Sequence, residues 1–214
     1  MQEMVAGASA DEIKRHKIEI LAGLTRLRQI CNTPALFLED YTGDSGKMDS
    51  LFELLDTIRK KESRPLIFSQ FTSMLDLIEQ ELEKKGLSHF KITGQTPSDK
   101  RQEMVNLFNQ GEKDCFLISL KAGGTGLNLT GADTVILCDL WWNPAVEMQA
   151  IGRSHRLGQT KQVDVYRLIT LGTIEEKIQE LQESKKELFN TVLEGQESRS
   201  NLSVDDIKEI LGVE

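Results

Sequence analysis

The sequence predicts an α/β fold in which helices cover both faces of a mainly parallel sheet. Short, continuously apolar runs rich in β-branched residues recur along the chain, and amphipathic helical segments separate them. Strands of a parallel sheet are buried on both faces, and each parallel connection needs a crossover, usually a helix. With 214 residues, 39% of them hydrophobic, the chain can bury one sizeable core. We therefore expect a three-layer domain with helical extensions at both ends.

The elements can be placed in order from their periodicity and their turn residues. Ile20, Leu24 and Leu27 repeat at helical spacing, which predicts a first helix at residues 10–30 with Ser9 as its N-cap. The elements expected after it are a helix at 47–58, a strand at 65–70, a helix at 72–85, a strand at 89–93, a helix at 97–109, strands at 115–120 and 134–139, a short helix begun by Asn143 and Pro144 and ended by Gly158, and a strand at 163–169.

The C-terminal part of the sequence predicts two further helices. Thr173 and Glu176 have the spacing of a capping box, which would open a helix running to about residue 193. Ser203 and Asp206 form a weaker box before a final helix at 204–211. Because residues 41–46 read as a polar linker, we divide the chain into an N-terminal helix and linker, a sheet domain and acidic C-terminal helices, at 1–46, 47–172 and 173–214.

The net charge of -8 is not that of a protein that grips phosphate backbones through a basic surface. Residues 173–214 hold 11 acidic and 5 basic side chains, so the C-terminal helices carry most of the excess. A few placed lysines, hydroxyls and backbone amides can still follow a nucleic acid. We expect weak DNA binding by this chain alone.

The sequence contains no apolar run long enough to cross a membrane, and no charged-then-apolar leader opens the chain. We expect an intracellular protein without a membrane partner, cytoplasmic in a bacterium or nuclear in a eukaryote, and a monomer by default. Cys31, Cys115 and Cys138 lie in apolar contexts without CxxC spacing, so we expect reduced core thiols and no metal site.

Two arginines three positions apart form the most informative motif. Gln149, Arg153 and Arg156 stand at i, i+4 and i+7, so on one continuous helix they would share a face and a common target. A guanidinium fork suits a phosphate group, which indicates a phosphate-sensing pair. The alternative is a solvated helix face with two unrelated arginines.

A glycine-rich segment, residues 119–130, precedes the arginine motif. Its glycines would let a phosphate approach backbone amides, although a tight turn at the sheet edge is the alternative. No GxxxxGK[ST] loop occurs in the sequence, so nothing in it cradles β and γ phosphates in the Walker manner. Asp139 ends an apolar run as a Walker B aspartate would, but no second carboxylate follows it.

In this order and spacing, residues 119–159 resemble the fifth and sixth motifs of superfamily-two helicases, in the version carried by Swi/Snf-type DNA translocases. Other segments extend the resemblance: residues 27–34 resemble the signature before the second motor lobe, residues 45–48 the entry into that lobe, residues 67–71 the fourth motif, and residues 92–94 a strand end with glycine. One departure is Gly152, where many Swi/Snf proteins carry an aspartate.

The resemblance implies a RecA-like second lobe that closes over ATP and magnesium bound mainly by a first lobe absent from this chain. Arg153 and Arg156 would be arginine fingers, Gln149 would position water or phosphate, and Gly124 and Gly126 would lie near the nucleotide. The residues implied in DNA contact, or in coupling the DNA and ATP sites, are Ser69, Gln70, Gly94, Ser119, Lys121, Thr125 and Asn128.

The expected function is that of the second lobe of a translocase that moves on double-stranded DNA and remodels DNA-protein complexes. Its partners would be the DNA, the first lobe and the DNA-bound proteins, and the isolated chain should not hydrolyse ATP. One alternative is a catalytically silent binding module with this fold. Another is an unrelated α/β enzyme that binds a nucleotide or sugar phosphate at the turn from Gly123 to Gly126. Trp141 and Trp142 could stack on a base, but we expect both to pack.

Overall fold

The computed structural model describes Val5 and residues 10–123, 127–152, 162–191 and 202–213. A five-stranded sheet lies at its centre, and its strands are β1 (Pro65–Ser69), β2 (His89–Ile92), β3 (Cys115–Ser119), β4 (Thr134–Leu137) and β5 (Asp164–Arg167). The order across the sheet is β2-β3-β1-β4-β5, and every neighbouring pair is parallel. The predicted parallel α/β sheet is confirmed, with no antiparallel strand among the described residues.

The three central strands are buried along their whole length, while the edge strands β2 and β5 are half-buried or exposed except at Ile92. On β1, Phe68 lies opposite Ile118 of β3 and Leu137 of β4, so apolar side chains stack across the sheet at each register position. Continuous burial on both faces explains why the sequence of these strands does not alternate between apolar and polar residues.

Helices cover both faces of the sheet. They are α3 (Gly46–Lys60), α4 (Thr72–Lys84), α5 (Ser98–Asn109), α6 (Leu120–Gly123) and α7 (Pro144–Ile151). The core that contains Ile67 and Leu117 joins one sheet face to α3 and α4, whereas the core that contains Phe68 and Phe116 joins the opposite face to α5 and α7. The expected three-layer RecA-like arrangement is present.

Helical extensions precede and follow the sheet domain. They are α1 (Ala10–Arg15), α2 (Lys17–Asn32), α8 (Ile174–Thr191) and α9 (Val204–Leu211), with a 3₁₀ turn at Pro34–Leu36. A third core cluster joins them, with Leu24 from α2, Ile178 from α8 and Ile207 from α9 packed near Trp142. The sequence predicted one continuous N-terminal helix, but the chain breaks it at a turn residue, His16.

Several helix ends test the predicted caps. The Asn143 side chain accepts a hydrogen bond from the Ala145 N–H at the start of α7 (3.0 Å), and the capping box of Ser203 and Asp206 is complete. The box at α8 differs from the prediction. The Thr173 hydroxyl accepts from the Glu175 N–H (3.2 Å), and the Glu176 carboxylate accepts from the Gly172 N–H (2.6 Å), so no reciprocal pair of bonds forms between Thr173 and Glu176.

Helix α7 is shorter than the sequence predicted. It ends at Ile151 with Gly152 as its C-cap residue, where we expected an end at Gly158. Ser9 and Gly158 both lie outside the described residues. Within the part of the chain that the structure describes, no helix has both the length and the apolarity that crossing a membrane requires.

Candidate functional site at the carboxyl edge of the sheet

The sheet topology has a switch point at the carboxyl ends of β1 and β4. These neighbouring strands are followed by helices on opposite faces, since α4 packs on one side of the sheet and α7 on the other. In open parallel sheets, ligands bind outside the carboxyl ends of strands at such a switch point. The segments after β1, β3 and β4 all reach this edge, which brings the motifs of the sequence together.

Asp139 organises the edge from within. Its side chain is buried, and one carboxylate oxygen accepts hydrogen bonds from the Ser69 hydroxyl and, at 3.4 Å, from the Asn32 amide. The other oxygen accepts from the Gln70 backbone N–H (3.1 Å). These bonds fix the chain where it leaves β1 and connect that turn to the end of α2.

Lys47 joins three parts of the chain at a buried position. Its ammonium donates to Glu175 (2.6 Å), to the Asn32 side-chain oxygen (3.0 Å) and to the Cys138 carbonyl oxygen (2.9 Å). The Glu175 carboxylate also accepts from the Thr170 N–H (2.8 Å). Three acceptors satisfy the three ammonium protons, which is the condition under which a buried charge is tolerated.

Arg28 is the second buried cation at this edge. Desolvation by burial lowers the pKa of its guanidinium to about 10, although the carboxylates of Asp139 and Glu175 act in the opposite direction. The guanidinium donates to the Leu140 carbonyl oxygen and stacks 4.2 Å from the centroid of a Trp142 ring. Helix α2 is thereby tied to the segment between β4 and α7.

The two tryptophans of that segment pack, as predicted. Trp142 is buried in the third core cluster, and Trp141 is half-buried against the same cluster. Their rings lie 6.2 Å apart between centroids. Neither position offers an open platform for a base.

Glu147 on α7 forms a third buried polar group. One oxygen of its carboxylate accepts from the Trp141 N–H (3.1 Å) and from the Gln182 side-chain amide of α8 (2.6 Å). The other oxygen accepts from the Arg167 Nε–H at the end of β5 (3.1 Å). Gln182 also donates to the Trp141 carbonyl oxygen. The short helix that leads into the arginine motif is therefore held by polar bonds from two other elements.

Three of the residues implied in DNA contact are exposed. Gly94 follows β2, Lys121 lies on α6 directly after β3, and Asn128 lies further along the same connection. The exposed Lys121 ammonium, directly after β3, is chemically suited to contact a phosphate backbone. The Asn128 carbonyl oxygen accepts from the Asn109 side-chain amide at the end of α5 (2.8 Å), so Asn128 lies towards the amino edge of the sheet.

The other described members of that set have partners inside the protein. The buried Ser69 hydroxyl donates to Asp139 and accepts from the Phe71 N–H (3.1 Å). The buried Ser119 hydroxyl accepts from the Ala122 N–H (3.4 Å), and the half-buried Gln70 amide donates to the Leu140 carbonyl oxygen (3.5 Å). Their polar atoms serve the turn geometry at the strand ends.

The remaining predicted site residues are placed as follows. Gln149 lies on α7, while Gly124, Thr125, Gly126, Arg153 and Arg156 lie outside the described residues. The described part of the site ends at Gly152, one position before the first motif arginine.

Sequence reasoning assigned no role to the buried partners Asn32, Glu147, Glu175 and Gln182. One signal was available for Glu147, because it is the only charged residue in the mostly apolar sequence of α7. Asn32 lies within the motif at residues 27–34, but its partners, like those of Glu175 and Gln182, are distant in the chain and carry no local signal.

One group outside this edge has the composition of a cation site. Single ligand atoms of Glu79, Glu83 and His89 lie within 4.8 Å of one another. The Lys91 ammonium, however, forms ion pairs with both Glu79 and Asp76. Lys91 thus already supplies a positive charge to the Glu79 carboxylate.

Comparison with known proteins places the chain in a family. The helicase conserved C-terminal domain matches residues 46–158, which include the sheet strands up to β4, the glycine-rich segment and the arginine motif. The chain belongs to the helicase C-terminal domain family. Helices α1, α2, α8 and α9 and strand β5 lie outside the matched range.

Two relatives and one solved structure specify the type of helicase domain. SWI/SNF-related matrix-associated actin-dependent regulator of chromatin subfamily A member 1 from Mus musculus is 43% identical, over 85% of this chain and 18% of that protein. The putative ATP-dependent helicase/translocase YwqA from Bacillus subtilis (strain 168) is 41% identical, over 92% of this chain and 22% of that protein. The crystal structure of the C-terminal part of the Fun30 ATPase domain is 34% identical with a TM-score of 0.66, covering 94% of this chain and 62% of that chain.

The resemblance to the second lobe of Swi/Snf-type helicases is confirmed by these matches, as is the RecA-like fold. This helicase C-terminal domain spans about a fifth of the length of the two curated relatives, 18% and 22%.

Proposed function

We propose that this chain is the second motor lobe of a Swi/Snf-type ATPase that translocates on double-stranded DNA and remodels DNA-protein complexes. The observation that carries the proposal is that the segments with the fourth, fifth and sixth motifs follow β1, β3 and β4, whose carboxyl ends share one edge of the sheet, in a sequence without a phosphate loop. Such a lobe completes a nucleotide site that another lobe begins.

In this function ATP and magnesium are bound mainly by a first lobe. Arg153 and Arg156 reach across the interlobe cleft to the phosphates, and Gln149 positions water or phosphate. Gly124 and Gly126 leave room for the nucleotide to approach the backbone. Fingers of this kind neutralise charge on the transferring phosphoryl group and are worth on the order of a thousandfold or more in rate.

DNA contact is assigned to the exposed part of the carboxyl edge. Lys121 and Gly94 are accessible there, Asn128 is accessible further along the connection that follows β3, and Thr125 belongs to the same connection in the sequence. Ser69, Gln70 and Ser119 are assigned to coupling between the DNA and ATP sites, because their polar atoms already bond within the turns. With few basic residues at the edge, the lobe alone should bind DNA weakly.

The partners follow from the same assignment. They are double-stranded DNA, the first lobe within the same polypeptide and protein complexes bound to the DNA. Relatives named as a chromatin regulator and as a bacterial helicase/translocase support the choice of DNA as the track. We place the protein inside the cell, in the nucleus of a eukaryote or the cytoplasm of a bacterium, and take it to act as a monomer.

The test is DNA-stimulated ATP hydrolysis by a polypeptide that carries both lobes. Arg153→Ala and Arg156→Ala should each lower stimulated turnover by about a thousandfold while ATP binding by the first lobe survives. Arg59→Ala is the matched control, because Arg59 is an exposed arginine on α3 near the amino edge of the sheet. If both finger variants keep normal turnover while DNA still binds, the lobe is a binding module and not a source of catalytic arginines.

A further inference from the structure

The arginine motif follows a helix that a buried carboxylate holds in place. We infer that Glu147 is a positioning residue for Arg153, which directly follows Gly152 in the chain, and that Arg167 and Gln182 hold it in that role. The inference rests on the proposed function, since it concerns how this arginine is placed for catalysis. It adds β5 and α8, which lie outside the range matched by the helicase C-terminal domain, to the working part of the site.

The bonding around Glu147 specifies a carboxylate. Its side chain is 1% exposed, and its three partners among the described residues, the Trp141 N–H, the Gln182 amide and the Arg167 Nε–H, are all donors. An ionised carboxylate is an acceptor only, so it satisfies all three. A glutamine in its place would have nearly the same shape but would turn an NH₂ group towards one of these donors.

The helix itself is too short to fix its own direction. Helix α7 has 8 residues, and Ala150 anchors one side of it in the main core cluster. Glu147 anchors it to a separate set of neighbours, on β5 and α8. These two anchors define where the helix ends, and the arginine motif begins directly after that end. A small rotation of the helix would therefore move Gly152, the residue that directly precedes Arg153 in the chain.

The partners of Glu147 also connect the position of α7 to the position of α8. Gln182 is buried on α8 and bonds to both Glu147 and the Trp141 carbonyl oxygen, so α8 holds the helix and the segment before it together. Glu175, in the first turn of the same helix, accepts a hydrogen bond from Lys47. A displacement of α8 would therefore also displace α7.

The experiment uses the two-lobe polypeptide with Glu147→Gln, Arg153→Ala and both changes together. We expect Glu147→Gln to lower DNA-stimulated kcat by about 10- to 100-fold, because misplacement of a catalytic group by about 1 Å costs up to about a hundredfold. The KM for ATP and the Kd for DNA should stay within about twofold of wild type, since only transition-state contacts are misplaced. In the Arg153→Ala background, Glu147→Gln should cause no further loss, because residues that act as one unit are not additive.

A second variant covers the case in which Glu147→Gln does not fold. Gln182→Met keeps the packing volume on α8 and removes the donor, and it should show the same kcat loss in smaller degree and the same lack of additivity. Glu183→Gln, an exposed neighbour on α8, should have no effect.

Two results would overturn the inference: unchanged kcat in both Glu147→Gln and Gln182→Met, or a loss of the same factor with and without Arg153. The second result would mean that Glu147 acts independently of Arg153. Failure of the proposed function is a separate outcome, because it would appear as normal turnover in Arg153→Ala itself.

Discussion

Lys47 and Glu175 stand 128 positions apart in the chain and form an ion pair of 2.6 Å, with both side chains almost fully buried. The pair lies where the start of α3, the end of α2 and the start of α8 meet the end of β4. By its sequence, the chain divides into three segments, 1–46, 47–172 and 173–214. The Lys47 ammonium group connects all three. Helices α2 and α8 are therefore integral to the edge that carries the motifs.

Removal of one partner of this ion pair should strongly lower the free energy of unfolding. Lys47→Met leaves the Glu175 carboxylate buried with the Thr170 N–H as its remaining described donor, and we expect the free energy of unfolding to fall by about 3–5 kcal/mol. Urea denaturation followed by circular dichroism measures it. Lys84→Met is the matched control, because Lys84 pairs with Glu81 at the surface and should contribute less than about 1 kcal/mol. Equal losses in the two variants would contradict the buried role of Lys47.

Gly131 should not accept a side chain. A Cβ there would lie 2.8 Å from the Asn109 Cα and 2.9 Å from the Phe108 carbonyl oxygen, both of them backbone atoms that cannot move separately. We expect Gly131→Ala to lower the free energy of unfolding by about 1–3 kcal/mol. Thermal unfolding compared with Gly46→Ala checks this, because a Cβ at Gly46 meets nothing within 4 Å. A Gly131→Ala protein as stable as the Gly46→Ala protein would disprove the close approach.

The thiol of Cys115 should make stability depend on pH in the alkaline range. Desolvation by burial, with a smaller contribution from Asp114, raises the pKa of this thiol from 9.0 to about 12. Because the folded state favours the neutral thiol, the contribution of this thiol to the free energy of unfolding is fully present below about pH 9. It is lost as pH rises from about 9 to about 12, at a rate of up to about 1.4 kcal/mol per pH unit.

Comparison with Cys115→Ala isolates this group from other alkaline titrations. The stability advantage of the wild type over Cys115→Ala, measured by urea denaturation, should be constant from about pH 7 to 8.5 and then shrink as pH rises towards 10.5. An advantage that does not change across this range would show that the Cys115 thiol titrates alike in the folded and unfolded chain.

Much of the fold was predictable because its signals are local. The strand predicted at residues 65–70 is observed at Pro65–Ser69, and that predicted at 115–120 is observed at Cys115–Ser119, since a continuously apolar run has few other solutions. Helix ends were less predictable. Neither glycine nor proline marks the break at His16, and the end of α7 at Ile151 comes before the glycine that we expected to end it.

The site was predictable only in its outline. The order of the glycine-rich and arginine segments indicated a phosphate-handling edge, because those motifs are continuous in the chain. The buried network was not predictable, since Lys47 contacts Glu175 across 128 positions and Glu147 contacts Gln182 across 35. Which of many charged residues become partners is decided by how α2 and α8 pack, and periodicity does not encode that choice.

The most direct test of the central claim compares ATP hydrolysis by this chain alone with hydrolysis by a polypeptide that also carries the first lobe, each with and without double-stranded DNA. The account predicts no turnover above background from the chain alone at any DNA concentration. It predicts DNA-stimulated turnover from the two-lobe polypeptide. Measurable DNA-stimulated hydrolysis by this chain alone would contradict the account, because a complete phosphate-binding site would then exist within these 214 residues.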